Sequence, residues 1–184
     1  MADPSAPIED GFFDRNNARL TLGFENPTHF FQIGFWPDGA AKVHGAMAAQ
    51  FKSKTTLSPG QFVSKGDALC IRSAFDAYLL VNVDPDAARG DLSPEECAVT
   101  DLSHSRTAIA IEGPAVEPFL NRDVAIDFSI EACPAGSAVQ TSMHHVPVLL
   151  LRRAPERFVL YVYRSYARDL AGWMADMAVP FQNG

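Results

Sequence analysis

The chain has 184 residues, 47% of them hydrophobic and 10% aromatic, and 22 acidic against 15 basic side chains set a formal charge of -7. That balance excludes global disorder and opposes binding to nucleic acid or to an anionic membrane face, both of which reward clustered Lys and Arg. Cys70, Cys97 and Cys133 are widely spaced and form no CxxC pair, so reduced thiols in a cytosol are expected in place of zinc or redox sites.

Size scaling gives about 8,700 Å² of folded surface, which fits one core. The start, MADPSAPIEDG, lacks the positive and apolar regions of a signal peptide. No apolar run approaches the roughly 20 residues that span a bilayer. A soluble cytoplasmic protein is expected.

Residues 1–24 mix Pro, Asp, Asn and isolated aromatics without a sustained period, which predicts an extended arm ahead of a single domain over 25–184. Within that arm Phe12 and Phe13 need cover, from this chain or another. HFFQIGFW, His29 to Trp36, places Phe31, Ile33 and Phe35 on one face and Phe30, Gln32 and Trp36 largely on the other, the pattern of a strand buried on both faces, or buried on one and docked on the other. A turn at Pro37–Gly39 leads to a helix over Ala40–Phe51 with Val43, Met47 and Phe51 on one stripe. A loop opens at Ser58–Gly60, and DALCIRSA and AYLLVNV follow as two strands joined around Phe75 and Asp76.

The span 84–97 is rich in Pro, Asp and Gly and predicts an internal break, with at most a short helix from Ser93. Strand patterning resumes over Val99–Leu102 and Thr107–Glu112, and Gly113-Pro114 starts a short helix. Three more strands are expected over Val139–Met143, Val146–Arg152 and Phe158–Tyr163. Ser165 is expected to cap a last helix that buries Tyr166, Leu170, Trp173, Met174 and Met177 until Pro180 stops it. The fold class is α+β, with helices packed on mainly antiparallel sheet.

Chemistry is sparse by comparison. His144 and His145 are adjacent, so on a strand they face opposite ways and close a metal site only from a turn; no metal is assigned. Ser103-His104, and Cys97 with a distant His, lack a nucleophile elbow and a glycine-supported oxyanion loop. Ser103 and His104 are instead expected to hydrogen-bond the end of a strand. Neither GxGxxG nor GxxxxGK[ST] occurs. Asp101, between apolar Val99 and Leu102, reads as a buried acid that fixes a turn, satisfied by a partner such as Arg106 or a backbone donor. Arg152, Arg153, Arg157, Arg164 and Arg168 gather in the last third, and Arg164 and Arg168 flank Tyr166. Arg and Tyr are enriched at interfaces, which marks that junction as a docking edge.

The segments DLSHSRTAIAIEGP, PAGSAVQTSMHHVPVLLLRR and FVLYVYRSYARDLAGWM, in order across 99–178 and with Asp127 between the first two, resemble the gamma subunit of heterotetrameric sarcosine oxidase. DLSH with EGPAVEPFL also looks like the aminomethyltransferase of the glycine cleavage system and its folate-binding relatives. The first half departs from the family: relatives commonly place a GPDEWLLV-like strand where this chain has SAFDAYLLV.

The resemblance implies a folate-binding aminomethyltransferase-like fold and a noncatalytic subunit of a complex that oxidatively demethylates sarcosine or a related N-methyl amino acid, with tetrahydrofolate accepting the one-carbon unit. It places FAD, FMN, NAD, tetrahydrofolate and zinc in alpha, beta and delta partner subunits, and none in this chain. Phe12, Phe13, Phe30, Trp36, Arg164, Tyr166 and Arg168 are the candidate partner contacts. The rival reading is a stand-alone folate-binding one-carbon transferase, with Asp101 and Arg106 orienting the pterin.

Overall fold

The computed structural model describes Phe13 and residues 17–182. In chain order the elements are β1 (Thr21–Glu25), β2 (Phe30–Phe35), α1 (Ala40–Phe51), β3 (Gln61–Lys65), β4 (Ala68–Ala74), β5 (Ala77–Val81), α2 (Pro85–Arg89), β6 (Cys97–Asp101), β7 (Arg106–Glu112), α3 (Val116–Leu120), β8 (Ala138–Met143), β9 (Val146–Ala154), β10 (Arg157–Tyr163) and α4 (Arg164–Gln182). They gather into two compact units, one of residues up to Asn26 together with His104 onward, the other of Pro27–Ser103. The single core expected from chain length is replaced by two separate buried clusters.

The first unit is built on an antiparallel sheet ordered β1-β7-β10-β9-β8. Register sets Ile111 opposite Phe158 and Ile109 opposite Leu160, and Leu160 opposite Leu150. Because side chains alternate along a strand, these residues share one face. On it lie Phe119 and Leu120 of α3 and Ala167, Leu170, Ala171, Met174 and Ala178 of α4. The opposite face carries Ala108, Ala110, Leu149, Leu151, Val159 and Tyr161, also buried.

The second unit has a five-stranded antiparallel sheet ordered β3-β4-β5-β2-β6. Phe31, Ile33, Phe35, Cys70, Tyr78 and Leu80 form the face on which α1 lays Val43, Met47 and Phe51. Those three residues recur every four positions, which aligns them on one side of a helix. Gly39 lets α1 start close to β6, since a Cβ there would stand 2.6 Å from the Glu96 Cα.

Several local expectations change. Strand β1 begins at Thr21, inside the span read as an arm, and pairs with β7, with Leu20 and Leu22 buried. The short helix in the 84–97 break is α2, not a helix from Ser93, because the Asp84 carboxylate accepts the Asp86 N–H at 3.0 Å and Pro85 occupies the first turn. Helix α4 starts at Arg164, so Ser165 lies within its first turn. It also runs through Pro180 to Gln182; a proline this close to the end leaves few later backbone bonds to disturb. Ala167, and not Tyr166, joins the buried stripe.

Candidate functional site

The second unit contains a buried cation with an unusual set of partners. Arg72 on β4 is 4% exposed, and register places it opposite Tyr78 on β5. Its guanidinium carbon lies 4.7 Å from the Phe35 ring centroid and 4.6 Å from that of Tyr78. One Nη donates to the Phe75 carbonyl, and the other stands 3.4 Å from His44 Nδ1, which is 2.8 Å from the Tyr78 hydroxyl. Among the described residues no carboxylate pairs with Arg72. Burying a charge is costly unless it is compensated; two ring faces and a carbonyl do so here.

The surroundings set protonation. Burial, then the Arg72 charge, lowers the His44 pKa, which favours the neutral imidazole beside the guanidinium. Burial pushes the Cys70 thiol up to about 12 and raises Tyr78. Burial likewise raises Cys97 and Cys133. Thiols held protonated in this way are poor nucleophiles.

In the first unit Arg106 stacks on Tyr163, its guanidinium carbon 3.6 Å from the ring centroid. Tyr163 ends β10, and Tyr166 in the first turn of α4 is also exposed. The Arg164 N–H donates to the Ser105 carbonyl at 3.0 Å, which fixes where α4 leaves the sheet. Arg168 is exposed and Arg164 half-buried. Arg164, Tyr166 and Arg168 therefore all lie at the start of α4, close in the chain to the exposed Tyr163 on which Arg106 stacks.

The other expected contacts divide. Phe12 lies outside the described residues. Phe13 stacks on Phe24 with ring centroids 4.9 Å apart and so is partly covered by its own unit. Phe30 is fully buried at the start of β2 and has no surface to offer a partner; this corrects the sequence assignment, although Gln32, two residues on along the same face, is exposed. Trp36 is 49% exposed and donates its indole N–H to the Pro94 carbonyl at 3.1 Å. Sequence reading passed over Phe75, which sits at the β4–β5 turn and is 86% exposed.

Asp101 is exposed and not buried, and its Oδ1 accepts from the Ser103 N–H at 2.8 Å and hydroxyl at 2.6 Å. It fixes a turn as expected, with the Ser103 backbone N–H among its donors. Ser103 Oγ in turn accepts the Phe30 N–H at 3.0 Å, tying the turn to the start of β2. His144 and His145 form the β8–β9 turn with φ of 47° and 64°. His144 stacks on Trp173 at 4.7 Å. Among the described residues no three His, Cys, Asp or Glu side chains gather as a metal site. Among them, too, no helix is long and apolar enough to cross a membrane. A cleft of about 580 Å³ is lined by residues of α1 and α2, among them Lys42, Gly45, Ala46, Ala88 and Arg89.

The architecture is that of an α+β protein with two antiparallel sheets, shared with aminomethyltransferases. Aminomethyltransferase T of the glycine cleavage system from Bartonella henselae superposes with a TM-score of 0.59 at 14% identity, over 89% of this chain and 47% of that one. A chain of heterotetrameric sarcosine oxidase from Corynebacterium sp. U-96 superposes with a TM-score of 0.84 at 22% identity, over 100% of this chain and 97% of that one. No family model matches the sequence. In sequence the chain is similar to the sarcosine oxidase gamma subunit of Corynebacterium sp. strain U-96, 28% identical over 155 residues, 82% of this chain and 76% of the relative. It is 21% identical to the gamma subunit from Arthrobacter sp., again over 82% of this chain and 76% of the relative. The resemblance to sarcosine oxidase gamma subunits therefore extends over most of both sequences and includes the fold.

Proposed function

We propose that this chain is a noncatalytic gamma-type subunit of a heterotetrameric flavoprotein that oxidatively demethylates sarcosine or a related N-methyl amino acid, with tetrahydrofolate as the one-carbon acceptor. The observation that carries this reading is the alignment with a gamma subunit along 82% of the chain. The fold agreement with a chain of the heterotetramer supports it. On this reading FAD, FMN, NAD, tetrahydrofolate and zinc are held by alpha, beta and delta subunits, and this chain contributes surface and stability. Its contacts include Trp36 on the second unit and Arg164, Tyr166 and Arg168 on the first. Stable subunit interfaces bury about 2,000 Å² or more in total, and exposed aromatic and arginine side chains are the residue types that supply it.

Affinity purification of the chain at native expression, with mass spectrometry and an absorbance spectrum of the co-purifying material, tests the proposal. Stoichiometric partners with a flavin spectrum are expected. A lone colourless protein overturns it. The fold match with aminomethyltransferase T favours one rival, a stand-alone folate-binding one-carbon transferase. Saturable binding of tetrahydrofolate to the isolated chain would establish that alternative.

A further inference from the structure

Among the described large hydrophobic side chains, Phe75 and Trp36 are the two most exposed, and the topology brings them to the same end of one sheet. Strands β2 and β5 are antiparallel, with Gly34 opposite Ala77. The Phe35 N–H continues the ladder to the Asp76 carbonyl at 2.9 Å, so the chain ends that carry Trp36 and Phe75 leave the sheet next to each other. Neither backbone is loose. The Trp36 N–H donates to the Glu96 carbonyl at 3.0 Å, and its indole N–H to Pro94. The Phe75 carbonyl is held by Arg72, itself clamped between Phe35 and Tyr78. A buried arginine thus holds the backbone that carries an exposed phenylalanine. Such preorganisation lowers the entropy cost of association.

Acidic residues lie close in the chain to the pair and to the Pro94 carbonyl that holds the Trp36 indole. Asp76 follows Phe75, Asp38 lies two residues beyond Trp36, and Glu95 follows Pro94. All three are exposed, and none takes part in an ion pair among the described residues. An apolar centre with a charged rim is the anatomy of a binding hot spot. We propose that this end of the second unit's sheet is a protein-docking hot spot in which Phe75 enters an apolar socket rimmed by Lys and Arg side chains on a partner subunit. The sign of the rim selects that occupant. A second copy of this chain would bring Asp38, Asp76 and Glu95 against themselves, and an anionic lipid surface would be repelled. The proposal rests on the subunit reading above and names the chemistry of the partner surface.

The test uses the full-length chain and the partner subunits of its complex, co-expressed without it and purified. Phe75→Ala is expected to weaken binding by about 30-fold, mainly through faster dissociation. Asp76→Lys is expected to slow association several-fold at low salt, a difference that disappears near 1 M salt, where screening acts within about 3 Å. Phe75→benzoylphenylalanine should photo-crosslink to a partner peptide containing apolar residues beside Lys or Arg. The urea midpoint of each variant should match that of the wild type, because these side chains are exposed. Unchanged affinity of Phe75→Ala for partners that bind the wild type overturns the hot spot and leaves the subunit reading intact. Failure of the wild type to bind any flavoprotein subunit overturns both. Phe75-dependent self-association, or Phe75-dependent binding to phosphatidylserine-containing vesicles, also overturns it in favour of those occupants.

Discussion

Arg152 on β9 and Glu117 on α3 form an ion pair that is sealed at one end and open at the other, with the arginine 1% and the carboxylate 37% exposed. The arginine is also the hub of a backbone network. It donates to the carbonyls of Phe128 at 2.6 Å, Cys133 at 3.0 Å and Pro155 at 2.6 Å, and its guanidinium carbon lies 5.1 Å from the Phe158 ring centroid. One side chain thereby satisfies three loop carbonyls, two of them, on Phe128 and Cys133, in buried hydrogen bonds.

That asymmetry predicts unequal costs. Arg152→Ala should destabilise by about 3–5 kcal/mol, since it strands buried acceptors and opens a cavity. Glu117→Gln should cost about 1 kcal/mol, because the amide oxygen still accepts and the site is partly solvated. Urea unfolding of both variants checks the order; equal losses would show that the carbonyl network contributes nothing.

The environment of His44 predicts a pH dependence. Burial and Arg72 lower its pKa from the ordinary value of 6.5, so the unfolded chain binds a proton more readily than the folded one. The stability this group contributes is complete above pH 6.5 and is lost as pH falls through the depressed folded value. His44→Asn, which keeps an acceptor but does not titrate, should flatten the slope of unfolding free energy between about pH 7.5 and 5.5. Parallel slopes for wild type and variant would contradict the assignment.

Buried, protonated thiols predict chemical silence. Cys70, Cys97 and Cys133 are all free and buried. The native chain should react negligibly with an aromatic disulfide reagent at pH 8, and guanidinium chloride should release all three thiols. Rapid labelling of the native chain would show that one of them is accessible.

Two glycines should respond in opposite directions to alanine. A Cβ at Gly39 would meet the Glu96 backbone, which cannot withdraw without disturbing β6, so Gly39→Ala should cost about 1–3 kcal/mol. Gly45 lies inside α1, and a Cβ added there would meet nothing within 4 Å. Gly45→Ala should therefore stabilise by about 0.5–1 kcal/mol through helix propensity. Thermal unfolding of the two variants distinguishes clash from propensity.

Much of this molecule is legible in local pattern. Helix α1 matches its expected span of Ala40–Phe51 because a turn signal precedes a four-residue stripe. Strands β4, β5, β9 and β10 are readable because their apolar runs end at turn residues. Strand β3 is not, since in QFVSK only two residues are apolar and pairing with β4 supplies the order. The Asp84-Pro85 signal of α2 is present in the chain, but the surrounding Pro and Gly obscure it. Tyr166 and Phe30 show the limit of local pattern, as helical spacing would bury the first, which is exposed, and the second, named as a partner contact, is fully buried.

The α+β class, the succession of strands and the resemblance to sarcosine oxidase gamma subunits are all readable from the chain alone, because alternation, helical stripes and ordered segments are local or linear properties. Which aromatic side chains remain in solvent, and which charges are buried, is settled by packing in three dimensions. Phe30 and Phe75 are both phenylalanines beside strand patterning, yet one is sealed within β2 and the other stands at a turn held by Arg72. Burial depends on what packs across a sheet and on where a ladder ends, and neither is encoded in the immediate neighbours of a residue.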